Sequence, residues 1–138
     1  MADSTEHQEL LLLYQITVND LAYFKSQQWS VANHCFLLFA ALAGASRLLG
    51  DTITNFDLAA ITILVFAIAL VGLLVIWKLQ RSIHVREARL VAARNQLSEV
   101  FKKAWSAKEK GESVIKVVWF LYLALIIGPL IVCRIIYV

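Results

Sequence analysis

"QQWSVANHCF", residues 27–36, holds the polar-to-apolar change from which the rest of the chain is read. Gln27 and Gln28 precede a long apolar run, and Trp29 stands where an interfacial anchor belongs. Asn33 and His34 then follow, at positions where the run should already be purely apolar. Hydrocarbon offers such groups no hydrogen-bonding partner, so they must face another helix or an aqueous cavity.

The run that begins here is one of three. Val31 to Leu49 holds a single formal charge, Arg47; Leu58 to Trp77 holds none; Val117 to Val138 is interrupted only by Arg134. A helix rises about 1.5 Å per residue and the hydrocarbon layer is about 30 Å thick, so each run is long enough to cross. None alternates apolar and polar residues, which argues against barrel strands. Across the chain 60% of residues are hydrophobic and 17% are charged, against about half and about a quarter in a soluble domain. The expected fold is an all-α integral membrane protein with three transmembrane helices and two cytosolic helices. Its segments are a cytosolic N-terminal helix (1–28), a transmembrane hairpin (29–78, with spans near 30–49 and 58–77), a basic cytosolic segment (79–113) and a third span (114–138).

Charge sets the orientation. Lys78, Arg81, Arg86, Arg89, Arg94, Lys102, Lys103, Lys108 and Lys110 face only Glu87, Glu99 and Glu109, whereas "GDTITNFD", residues 50–57, has no Lys or Arg. Basic residues mark the cytoplasmic side, so 50–57 is expected outside and 78–110 inside, with the N-terminus cytoplasmic and the C-terminus at the outer face. Arg47 and Arg134 then lie at the outer interface. They read either as snorkelling anchors or as a ring of positive charge at the mouth of a channel. The basic segment lacks clustered aromatics, so nucleic acid is not an expected partner. No cleavable signal peptide and no lipidation box is expected from the two ends. Cys35 and Cys133 fall near opposite faces of the bilayer, too far apart for a disulfide, and read as inert thiols.

The cytosolic parts are expected to pack together. Thr5 and Gln8 match a capping box, and Leu11, Tyr14, Val18 and Leu21 form a narrow apolar stripe on a helix over 3–28. Without Gly or Pro before Ala43, that helix can run on into the first span. Over 79–110, Ile83, Leu90, Ala93, Leu97, Val100, Phe101, Ala104 and Trp105 share a face that also contains Arg86, Glu87 and Arg94. Lipid rejects such a mixed face, and the acids Asp3, Glu6, Glu9 and Asp20 make the N-terminal helix a fitting partner. A straight helix over 79–110 would be about 48 Å long, yet only "GES" (111–113) separates it from the third apolar run. The segment therefore bends back near Arg94-Asn95-Gln96, lies along the membrane surface, or leads to a third run that does not span in the ordinary way. Bending back is the favoured path.

His7, His34 and His84 are isolated, and no HExxH, CxxC, phosphate-binding loop or nucleophile elbow is present. No enzyme, catalytic residue, cofactor or metal site is expected. The spans have no internal Asp or Glu, which weakens a proton- or cation-coupled transporter. The first span does carry Ala40, Ala41, Gly44 and Ala45, spaced as small-xxx-small pairs that permit close helix approach. Asn33, His34, Ala40, Ala41 and Gly44 are thus the candidates for lining a pore or an oligomer contact, although packing within the chain is the plainer reading.

The stretch "LYQITVNDLAYFKSQQWSVANHCFLLFAALAGA", residues 13–45, resembles the start of small bacterial membrane proteins of the SLATT type and of the related RipA-type octameric membrane proteins. The matching positions are Leu13-Tyr14, Val18, Gln28, Ala32-Asn33 and Leu37-Leu38. Gln27 stands where those families have Arg, and the third span departs from their simplest layout. The resemblance covers residues 5 to about 110. It implies a cytosolic helix, a membrane hairpin, a second cytosolic helix and a cyclic homo-oligomer in the bacterial inner membrane. It further implies a pore-forming or membrane-perturbing effector of anti-phage defence. The competing expectation is a membrane-anchored adaptor that recruits a soluble cytosolic partner through 1–28 and 79–110.

Overall fold

The computed structural model describes residues 2–96 and 115–137, except for the side chains of residues 2–7, 51, 94, 115 and 116. The described chain is all-helical: α1 is Ala2–Leu49, a 3-10 turn covers Gly50–Thr52, α2 is Asn55–Asn95 and α3 is Ile115–Tyr137. All three helices are long and apolar enough to cross a membrane. The N-terminal segment and the start of the basic segment are not separate helices. Each is continuous with a span, because no Gly or Pro lies between Ala2 and Ala43, or between Leu73 and Asn95, to end a helix at the boundary. α2 stops at Asn95, where the Gln96 amide bonds the Ala93 carbonyl at 3.1 Å. The favoured reversal near Arg94-Asn95-Gln96 coincides with that stop, but the path beyond it lies outside the described residues, as do Leu97 to Trp105.

The chain divides into two units, Gln28–Trp77 with Val114–Val138, and Met1–Gln27 with Lys78–Ser113. In the first, the three apolar segments share one core. α1 contributes Ala32, Cys35 and Phe39, α2 contributes Val65, Ala69 and Ile76, and α3 contributes Val118, Leu121, Leu125 and Val132. Each set recurs at three-, four- or seven-residue intervals, which places it along one face of its helix. Without a hydrophobic drive between helices in lipid, such a bundle depends on close packing. Two glycines provide it. A Cβ at Gly72 would stand 2.7 Å from Cys35 Sγ, and one at Gly128 would stand 2.8 Å and 2.9 Å from Phe39 ring carbons. Pro129, whose ring forbids an amide bond inside α3, is fully buried beside Gly128.

Polar side chains in this unit largely satisfy themselves. Ser46 Oγ donates to the Ala43 carbonyl at 2.8 Å and Thr62 Oγ1 to the Leu58 carbonyl at 2.8 Å, so neither exposes an unpaired hydroxyl to lipid. Cys35 is buried and Cys133 half-buried, and both are free thiols. The hairpin connection turns at Gly50, whose φ of +47° suits a residue without Cβ. α2 then opens on a reciprocal cap: the Thr54 amide and hydroxyl donate to Asp57 Oδ2 at 3.0 Å and 2.7 Å, and the Asp57 amide donates to Thr54 Oγ1 at 3.3 Å. Those bonds, the hydroxyl's first, hold the Asp57 carboxyl below its ordinary range.

In the second unit the buried line of α1 includes Thr17 and Leu21, with Tyr14 and Phe24 half-buried. This corrects the apolar stripe read from the sequence: Leu11 and Val18 are exposed, and Thr17 takes the inward place. Thr17 is tolerated there because its hydroxyl donates to the Leu13 carbonyl at 2.7 Å. On α2, Ile83 and Ala93 are buried and Leu90 half-buried, in keeping with their shared face.

The glycines make a direct comparison. Gly128→Ala should destabilise the chain by about 1–3 kcal/mol, because the rigid Phe39 ring has to give way. Gly44→Ala should be neutral or stabilising in the isolated chain, since nothing lies within 4 Å of its added Cβ and Ala favours helix by about 1 kcal/mol. Thermal unfolding of both variants in detergent checks the order.

Candidate functional site

The first-span candidates lie on the side of α1 turned away from the core. Ala32, Cys35 and Phe39 point inward, whereas Asn33, His34, Ala40, Ala41 and Gly44 are all exposed. The separation is a matter of helix phase: residues 33, 37, 40 and 44 form one line along the helix, rotated from the line through 32, 35 and 39. Ala40, Ala41 and Gly44 therefore make no part of the bundle core. The close approaches within the chain occur instead at Gly72 and Gly128, which the small-xxx-small spacing did not single out. The signal was present as the one glycine of the second apolar run and the Gly128-Pro129 pair of the third.

His34 is held by its own helix. Its Nδ1–H donates to the Ser30 carbonyl at 2.6 Å, with Ser30 Oγ 3.5 Å from the same nitrogen. In a neutral ring that bond leaves Nε2 as an acceptor. Asn33 and His34 thus place an amide and an imidazole acceptor beside a surface of Ala and Gly. Chemically this suits hydrogen bonding to another helix or to water.

Arg47 and Arg134 are exposed near the C-terminal ends of α1 and α3. Arg47 borders an open cavity of about 290 Å³, lined also by Ser46, Gly50, Ile53, Leu58, Ile136 and Tyr137. Arg134 does not line it. Tyr137 Oη lies 3.2 Å from Thr62 Oγ1 and ties the end of α3 to the start of α2.

In the unit of Met1–Gln27 and Lys78–Ser113, one cation joins the two helices. Arg86 Nε donates to Asp20 Oδ2 at 3.1 Å, its NH1 donates to the Ser82 carbonyl at 3.3 Å, and its guanidinium carbon lies 4.1 Å from the Phe24 ring centroid. The mixed face of the basic segment is resolved here for Arg86: an acid, a carbonyl and an aromatic face surround a half-buried guanidinium. Of the acids offered by the sequence, Asp20 engages it; the side chains of Asp3 and Glu6 lie outside the described residues. Phe24 was not singled out, though its place four residues after Asp20 puts both on one helix face. Glu87 instead lies 3.4 Å from His84 Nδ1 on the same helix. The Arg94 side chain lies outside the described residues. Among the described residues no three of His, Cys, Asp and Glu gather closely enough to hold a metal ion.

No protein-family model, curated protein or solved structure matches the chain.

A double-mutant cycle tests the Arg86 contact. Arg86→Ala and Asp20→Ala should show a coupling of about 0.5–1 kcal/mol, the range for a partly exposed pair, in detergent unfolding. Arg86→Lys should recover only part of the loss, because Lys lacks the planar group that meets Asp20, Ser82 and Phe24 together.

Proposed function

We propose that this chain is a non-enzymatic, homo-oligomeric protein of the bacterial inner membrane, acting as a pore-forming or membrane-perturbing effector governed by its cytosolic helical segments. The observation that supports the reading is the outward face of α1. A span that meets only lipid has no use for an exposed amide and imidazole beside Ala40, Ala41 and Gly44. A second copy gives that face a partner and gives Asn33 a hydrogen bond. Interhelical bonds of this kind average about 0.6 kcal/mol and reach roughly 1–2, and a closed ring repeats the contact at every interface. The effector class and a role in anti-phage defence rest on the resemblance of residues 13–45 to SLATT-type and RipA-type proteins.

The proposed topology has three spans, with the N-terminus and Lys78–Lys110 in the cytoplasm and Gly50–Asp57 and the C-terminus outside, as the basic-residue bias directs. Arg47 and Arg134 then mark the outer interface. The second reading is a membrane-anchored adaptor that recruits a soluble partner; the exposed Leu12, Ile16 and Tyr23 of the N-terminal segment favour it.

Reporters at Thr52 and Asn95 should label from opposite sides of the membrane; labelling from one side would remove the hairpin topology. Native mass spectrometry should give a multimer for the wild-type chain. Asn33→Leu should reduce or resize that multimer, and Gly44→Ile should do so more strongly, with dye-reported depolarisation falling in parallel. A monomeric wild type that leaves the membrane potential intact would leave the adaptor reading in its place.

A further inference from the structure

The cytosolic helix pair has two exposed faces that match one another. On α1, Leu12, Ile16 and Tyr23 are 58%, 51% and 61% exposed and lie along one line, with Leu13 beside it. This is a row of large apolar groups on a segment proposed to stand in water, where lipid cannot cover it. On α2, Arg81, Val85, Ala88 and Ala92 form an exposed line at three- and four-residue spacing, with Lys78 and Arg89 beside it. The first face is bulky and the second is narrow, built on small residues. Their charges are opposite: Glu9 lies along the first and Asp20, already bonded to Arg86 of its own chain, at its edge, while Lys78, Arg81 and Arg89 line the second.

Their levels also match. The Asp20–Arg86 contact sets the register of the two helices, with Asp20 about two turns before Gln27 and Arg86 about two turns after Lys78. That register places Leu12 near the level of Ala92, Ile16 near Ala88 and Tyr23 near Arg81. Copies related by an axis along the membrane normal stand at equal height, so the same levels meet between neighbours. Tyr23 can then stack on the Arg81 guanidinium, and the free side of the half-exposed Asp20 carboxylate faces the reach of Arg89.

We propose that the Leu12–Ile16–Tyr23 face of α1 docks head to tail on the Arg81–Ala88–Ala92 face of α2 in a second copy of this chain. The contact rests on the homo-oligomeric reading above and locates a subunit interface in the cytosolic helices. Because its two sides are different surfaces, it propagates around a ring and does not close as a symmetric pair. It couples the cytosolic helices of each subunit to those of the next.

The test uses the full chain in membranes, with Cys35→Ala and Cys133→Ala removing the native thiols. Ile16→Cys combined with Ala88→Cys should give an oxidative ladder beyond the dimer, whereas either substitution alone should give no cross-linked species. Ala88→Trp, which fills the narrow face, should raise the apparent dissociation constant of the assembly about tenfold or more. An oligomeric chain that gives no ladder overturns this contact and leaves the homo-oligomeric reading standing. Dimers from Ile16→Cys alone overturn the head-to-tail arrangement. A monomeric mass for the unsubstituted chain overturns the homo-oligomeric reading, and this contact with it.

Discussion

The three apolar helices close on one another because two positions lack a Cβ. Phe39 lies against Gly128 and Cys35 against Gly72, at distances that a side chain on either glycine would forbid. In lipid, burial of Leu or Ile against another helix gains little over burial against acyl chains, so dispersion at such close approaches carries the association. The phase of α1 follows. Once Ala32, Cys35 and Phe39 turn inward, Asn33, His34, Ala40, Ala41 and Gly44 turn outward, and the question of what covers them passes from the chain to its surroundings.

A second constraint is helix continuity. α1 runs through 48 residues and α2 through 41 without a break between their charged and apolar parts. The Arg86 contact with Asp20 and Phe24 fastens the two helices to each other in the unit they share.

Much of the fold was legible in the residues. Three charge-poor runs announced three helices, and the lack of Gly and Pro before Ala43 left the N-terminal helix free to enter the first span unbroken, although 1–28 was read as a segment of its own. The mixed arc of Arg86, Glu87 and Arg94 was legible as a face in need of an acidic partner. The partner was not: four acids were on offer, and the choice of Asp20 depends on where the two helices meet. Thr17 was passed over for Val18 because hydropathy ranks them so. A threonine that bonds its own helix can occupy a buried line, and composition does not register that bond.

The sequence by itself determined that the chain is helical, that three segments are apolar and long enough to cross a membrane, and that its basic residues gather on one side of the hairpin. These follow from local quantities: helix rise, residue hydropathy and charge count. Only the tertiary structure decided which face of each helix is the inner one. In a span where nearly every residue is apolar, hydropathy does not vary around the helix, and small residues stand on both sides of α1. Ala32 and Cys35 turn in and Ala40 and Gly44 turn out in the arrangement where the missing Cβ atoms of Gly72 and Gly128, distant in sequence, make room for Cys35 and Phe39.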